Sequence, residues 1–198
     1  AKDKTGKESM NPGKPDGRIQ RSERSRQVII DAMLALINEG VLIPTAQQVA
    51  DRAGVAIRTV FRHFDDMEAL YAEVDETLRP VYEGMFVGMD RSGSLAERVL
   101  HAVECHANAY EHQALIHEMT TVMLWRSDTV KKVYARNQRN LRKDLDKWLP
   151  ELKELSTEKR EAIDALASFE FLSRLQKQQG LSKKACIKLI TNMMMGLL

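Results

Sequence analysis

The stretch QQVADRAGVAIRTVFRHF, from Gln47 to Phe64, constrains the fold more than any other part of the chain. A tight corner between two helices needs a small residue where they cross, a residue tolerant of positive φ four positions later, and an apolar plug six beyond that. Ala50, Gly54 and Val60 stand at those offsets. Val49, Ala53, Val55 and Phe64 complete a buried side, which leaves Ile57, Arg58, Phe61 and Arg62 facing outward from the second helix, with Ala56 and Thr59 near its start.

No Asp or Glu lies between Asp51 and Asp65, whereas Arg52, Arg58, Arg62 and His63 do. A helix that faces DNA must keep carboxylates away from phosphates, and an arginine in its first half can reach guanine O6 and N7 in the major groove. Such a contact is worth about 1–3 kcal/mol of discrimination. A packed corner that is merely basic would show the same spacing, but here spacing and charge agree on a surface for a polyanion.

The rest of the chain is expected to be helical. Gly (10) and Pro (5) are sparse in 198 residues, strand formers are concentrated nowhere, and helix-favouring residues abound. Val28, Ile29, Ala32, Met33, Leu36 and Ile37 share one face of a first helix ended by Gly40. Pro44 and Thr45 open a second, with Thr45 as N-cap, and a third spans 56–63. A fourth begins at DDMEAL and is interrupted or kinked at Pro80. Periodicity then predicts helices over 95–113, 114–126, 129–149 and 157–178 and a last one after Gly180, an all-α fold of about nine helices.

Net charge is +2, but the first 26 residues carry eight Lys or Arg against four Asp or Glu, so they hold +4 and the remainder −2. Residues 1–20 read as a flexible basic arm. Arg18, Arg21, Arg24 and Arg26 are expected to precede the first helix, where an arm can follow a DNA backbone or enter the minor groove; a solubilising tail is the other reading of residues 1–17. Cys105 and Cys186 are far apart, so neither a zinc knuckle nor a disulfide framework is expected. With no leader pattern and no apolar run of spanning length, a cytoplasmic protein without a membrane partner is expected.

The segment TAQQVADRAGVAIRTVFRHFDDMEALYAEV resembles the DNA-binding signature of TetR-like (tetracycline-repressor-like) transcriptional regulators, in which a helix-turn-helix ends in an aromatic-x-His-Phe run followed at once by a fourth helix. The resemblance covers roughly residues 25–75, and beyond it only length and helical character agree. It implies a DNA-binding domain over 21–75 and a ligand-binding and dimerisation domain over 76–198. By the same resemblance Thr45 and His63 touch phosphates, Arg58, Thr59 and Arg62 face the groove, and Phe61 packs on the backbone. Arg24, Arg26, Ala56 and Ile57 complete the expected DNA-binding set. Three positions depart from the family pattern: Ala56 stands for a capping Ser or Thr, Phe61 for a Tyr, and Met67 for a Lys. Each removes a polar group from the phosphate side, so the basic arm is expected to supply grip.

The resemblance also implies an inducer pocket and a two-fold dimer on a palindromic operator, with repression as the family default. Apolar faces on the last two helices suggest the dimer interface: Ile163, Leu166, Phe169, Leu172 and Leu175, then Leu189, Ile190, Met193, Met194 and Leu197. Burial inside one chain would produce the same pattern. For a lipophilic small-molecule effector, the candidates are Met85, Phe86, Met89, Leu100, Val103, His106, Tyr110, Met119, Met123, Leu124 and Trp125, since methionine and aromatic side chains line adaptable cavities and also ordinary cores.

His101, Cys105 and His112 share a helical stripe, but only His101 and Cys105 are one turn apart, and no metal or other cofactor is expected. Two other functional classes remain. One is a helix-turn-helix module governed by a protein partner. The other, a metal-dependent helical-bundle enzyme, would need paired Glu-x-x-His motifs, and the chain has none; it also lacks a Walker loop, a GxSxG elbow and an HExxH motif. A non-enzymatic regulator is the expected class.

Overall fold

The computed structural model describes residues 17–198. The described residues form ten α-helices and no strand. They are α1 (Gly17–Asn38), α2 (Ala46–Ala53), α3 (Ile57–His63), α4 (Met67–Gly84), α5 (Leu95–His112), α6 (Ala114–Met123), α7 (Asp128–Trp148), α8 (Thr157–Leu166), α9 (Phe169–Ser173) and α10 (Lys183–Leu197). A 3-10 turn, Pro150–Glu154, joins α7 to α8, and a π turn, Arg174–Gln178, extends α9.

The helix expected over 157–178 is two helices and a π turn. Ala167 adopts a non-helical conformation, and the Ser168 hydroxyl accepts from the Phe171 amide to start α9. The break frees the Ala167 carbonyl, which accepts the Tyr110 hydroxyl at 2.9 Å. Pro80 does not end α4, which runs through it to Gly84.

The arm expectation changes at its C-terminal end. Residues 1–16 lie outside the described residues, but 17–20 are already helical, and Arg18, Arg21, Arg24 and Arg26 ride on the first turns of α1. The physical reason is local: after Gly17 no Gly or Pro interrupts a run rich in Arg, Gln and Glu, which lose little freedom in a helix. This part of α1 is polar; Ile29, Ile30, Met33, Leu36 and Ile37 anchor the rest.

Two apolar clusters organise the molecule. The first gathers α1–α4 around Met33, Ala50, Val60, Phe64 and Leu70, and it is closed by Met119 and Met123 of α6 and Val130 of α7. The N-terminal core thus draws on residues well beyond position 75. The second packs α5, α7, α8, α9 and α10 around Tyr110, Trp148, Ile163 and Met194. Between them, α4 is tied to α7: Arg136 pairs with Asp75 and Glu76, and Asn137 Nδ2 donates to Asp75 Oδ1 at 2.9 Å.

Candidate functional site

The corner is built as its spacing predicts. Thr45 caps α2 in a capping box with Gln48: its hydroxyl accepts from the Gln48 amide, and the Gln48 side chain accepts from the Thr45 amide at 2.9 Å. α2 ends at Gly54, whose φ of 67° lies in the left-handed region that a residue with a Cβ adopts at a cost. The Gly54 amide and then the Val55 amide return to α2 carbonyls, the latter to Ala50 at 3.0 Å. Ala50 is fully buried at the crossing and Val60 plugs α3 onto the core. α3 has no side-chain cap, because Ala56 offers no oxygen.

The outer face of α3 carries Ile57, Arg58, Phe61 and Arg62, all exposed, and Thr59 is half-buried beside them. Phe61 keeps 48% of its surface accessible, which is high for an aromatic side chain. Neither Arg58 nor Arg62 has an ion-pair partner among the described residues.

Other basic groups nearby are already engaged. Arg52 is held by a two-point pair with Glu39. Arg26 reaches from α1 to Glu73 of α4 through two contacts, 2.8 and 2.7 Å, and lies over the Phe64 ring at 5.1 Å. Arg26 therefore does not precede the first helix but sits on α1, and its pair with Glu73 ties α1 to α4 around the end of α3. Arg24 is exposed. His63 Nε2 meets the Ser25 hydroxyl at 3.2 Å. Burial, and then the charges of Arg62 and Arg26, hold the His63 imidazole below its ordinary pKa, so the neutral ring is favoured.

In the C-terminal half, the expected pocket residues separate. Met119 and Met123 are buried in the N-terminal core, and Trp125 is 78% exposed beyond the end of α6. Met89 is exposed too, in the link after α4. Phe86, His106 and Tyr110 do meet, ring edges against faces at 5.5 and 6.1 Å, and Val103 lies in the same cluster. Cys105, on α5, directs its thiol at the Met85 carbonyl; burial pushes its pKa up to about 11. Leu100 and Met85 are half-buried.

Sequence reasoning missed the centre of this region. Asp144 of α7 is buried and receives three donors: Arg91 at 2.8 Å, His106 Nε2 at 3.2 Å and Trp148 Nε1 at 3.1 Å. Burial alone would raise its carboxyl, but the His106 and Arg91 contacts outweigh it and hold the pKa below the usual range. An ionised Asp144 accepts Nε2–H, and the other ring nitrogen, Nδ1, is buried without a partner among the described residues. His117 stacks on Phe169 at 4.6 Å, and burial drives its pKa down to about 4. Around this centre lie a cavity of about 310 Å³ reaching His106, Tyr110 and Asp164, and one of about 290 Å³ between α4 and α7. Leu141 lines both.

The expected interface residues are mostly core. Ile163, Leu166, Phe169, Leu172, Leu175, Ile190 and Met194 are buried within the chain, because α10 packs along α5 and α8 and turns those faces inward. Leu189 and Leu197 are half-buried, and Met193 is exposed. His101 and His112 are exposed and Cys105 is buried, and among the described residues no group of three His, Cys, Asp or Glu is placed to hold a metal ion. Nor is any helix among them long and apolar enough to cross a membrane.

With this corner in view, the comparisons agree with the geometry. The family model for bacterial regulatory proteins of the tetR family matches residues 29–74, from the packed part of α1 to the middle of α4. Residues 29–74 are similar to that family. Solved structures extend the likeness over the remaining helices. A transcriptional regulator from Rhodococcus sp. Rha1 superposes with a TM-score of 0.66 at 17% identity, covering 89% of this chain and 95% of that one. A candidate TetR-family transcriptional regulator from Rhodococcus sp. gives 0.60 at 16%, covering 88% and 98%. At such identities the likeness shows a shared all-helical fold over both halves. No curated protein sequence matches the chain.

Proposed function

We propose that this chain is a sequence-specific DNA-binding transcriptional regulator that acts as a two-fold dimer on a palindromic operator, represses transcription there, and is released by a lipophilic small molecule. The observation that carries the reading is the outer face of α3, where Arg58 and Arg62 stand unpaired with no carboxylate on the helix. Arg58, Thr59 and Arg62 read base edges, while Phe61 packs against the sugar-phosphate backbone. Thr45 and His63 sit at the edges of this face. With Ser25 donating to Nε2, the neutral His63 ring presents Nδ1–H to a phosphate. Arg24 follows the backbone from α1.

A dimer would set two α3 helices in successive major grooves, about 34–36 Å apart. Its contact surface is drawn from the outer side of α10, through Leu189, Met193 and Leu197, with the buried faces of α8 and α9 supporting it from behind. The effector acts on α4, which joins the α3 corner to the cavities and is bolted to both halves.

A selection from random duplexes tests the core of this reading. The wild type should enrich a palindrome whose binding weakens steeply with salt, and Arg58→Ala and Arg62→Ala should lose it. Wild-type affinity in both variants would remove the assignment of base readout, and a monomer by light scattering at micromolar concentration would remove the dimer.

A further inference from the structure

The groove between α4 and α7 has a composition of its own. Its floor is apolar and aromatic: Tyr82 and Phe86, ring against ring at 5.2 Å, face Leu141. Its rim is basic: Lys143 and Lys147, one helical turn apart on α7, line it with no ion-pair partner among the described residues. The other charges on its wall are largely spent. Arg79 pairs with Glu76, and Asp144 is neutralised by Arg91. Glu83 remains against the two lysines, which leaves the rim with a surplus of one positive charge. The volume of about 290 Å³ lies near the lower end of known small-molecule sites, which start at roughly 300 Å³.

We propose that this groove binds a lipophilic monocarboxylate of the size of a bicyclic aromatic acid, its carboxylate held at Lys143 and Lys147 and its apolar body laid on Phe86, Tyr82 and Leu141. A neutral compound would leave the ammonium pair unanswered, and a dianion would exceed the surplus charge. The inference deepens the effector reading above and rests on it. The groove is walled by α4 on one side, so an occupant that spreads α4 from α7 acts directly on the helix that follows the α3 corner.

Isothermal titration of the full chain with 2-naphthoate and with the neutral 2-naphthalenemethanol tests it. The acid should bind about tenfold more tightly than the alcohol in the wild type, and Lys143→Gln with Lys147→Gln should bring the two to near equality while leaving alcohol binding unchanged. Retained alcohol binding shows that the double variant is folded and its groove intact. Leu141→Trp, which fills the floor, should abolish both. Failure of both probes to bind the wild type, equal affinity for acid and alcohol, or a preference that survives loss of both lysines would each overturn the proposal. The duplex selection keeps this separate from the regulator reading. An enriched palindrome with no acid binding sinks the groove alone; acid binding that depends on the lysines, with no enriched duplex, sinks the regulator.

Discussion

The outer face of α3 and the Asp144 centre each gather charged and aromatic side chains into a small space, and they treat them in opposite ways. On α3, Arg58, Phe61 and Arg62 are exposed, and neither arginine has an ion-pair partner among the described residues. Around Asp144, every charge has a partner, and Arg91 also covers the Trp148 ring at 4.9 Å. A charged group earns its place either by what it holds inside the fold or by what it will meet outside it. Removal of a residue should therefore damage stability in one region and binding in the other.

The largest expected effect tests the inner half of that contrast. Asp144→Ala would leave His106 Nε2 and Trp148 Nε1 without this acceptor and the Arg91 guanidinium with only the Phe86 carbonyl, at 2.9 Å. Breaking a buried pair from one side costs about 3–5 kcal/mol; since Arg91 is partly exposed, the lower end is expected. Urea denaturation should show that loss, with duplex affinity of the folded fraction unchanged. A loss below about 1 kcal/mol, the level of a surface pair, would erase the distinction between the two regions.

A pH titration probes the same region through His117. Burial puts its folded pKa at about 4, below the ordinary imidazole value near 6.5, so the unfolded chain binds the extra proton first. The stabilisation is therefore complete above about pH 6.5 and is lost as pH falls toward 4, amounting to about 2 kcal/mol at pH 5. His117→Phe, which keeps the stack on Phe169, should flatten the fall in stability between pH 7 and pH 5 relative to wild type. An identical slope in the two proteins would show that the ring titrates as if in water.

The outer half should behave differently. Arg58→Ala should leave thermal stability within about 0.5 kcal/mol of wild type, as expected for an exposed site with no partner. It should also cost about 1–3 kcal/mol of discrimination at one operator position. A shift in melting temperature without a change in duplex binding would reverse the roles assigned to the two regions.

The same contrast explains what could be read from the chain directly. Ala50, Gly54 and Val60 lie within eleven positions, and each meets a demand of local backbone geometry, so the corner and its outward residues are legible without any tertiary information. Asp144 meets partners at positions 91, 106 and 148, and nothing in local spacing links three of those four. Apolar stripes fall between these cases. Periodicity shows that Met119, Met123, Ile163 and Met194 are buried, but the stripe is equally suited to a cavity, a second chain or a neighbouring helix. Packing of α6 on α1 took the first two, and packing of α10 on α5 and α8 took the others.

The smallest predicted effect sits where the two kinds of role meet. Ala56 opens α3 in extended conformation, φ −70° and ψ 143°, the geometry of an N-cap, yet it has no side-chain oxygen to accept from the first-turn amides. Ala56→Ser supplies that oxygen without touching the outward arginines, and a serine cap is worth about 0.5–2 kcal/mol over alanine. In a helix as short as α3 the low end of that range is expected, since only the first turn gains. If the face of α3 is a surface held ready for DNA, the same hydroxyl can instead turn to a phosphate, and the variant should bind its operator more tightly as well as melt higher. A gain in melting temperature with duplex affinity unchanged would mean that the start of α3 stands away from the backbone, and Arg58, one residue into the helix, would then have to reach its base from a shallower approach.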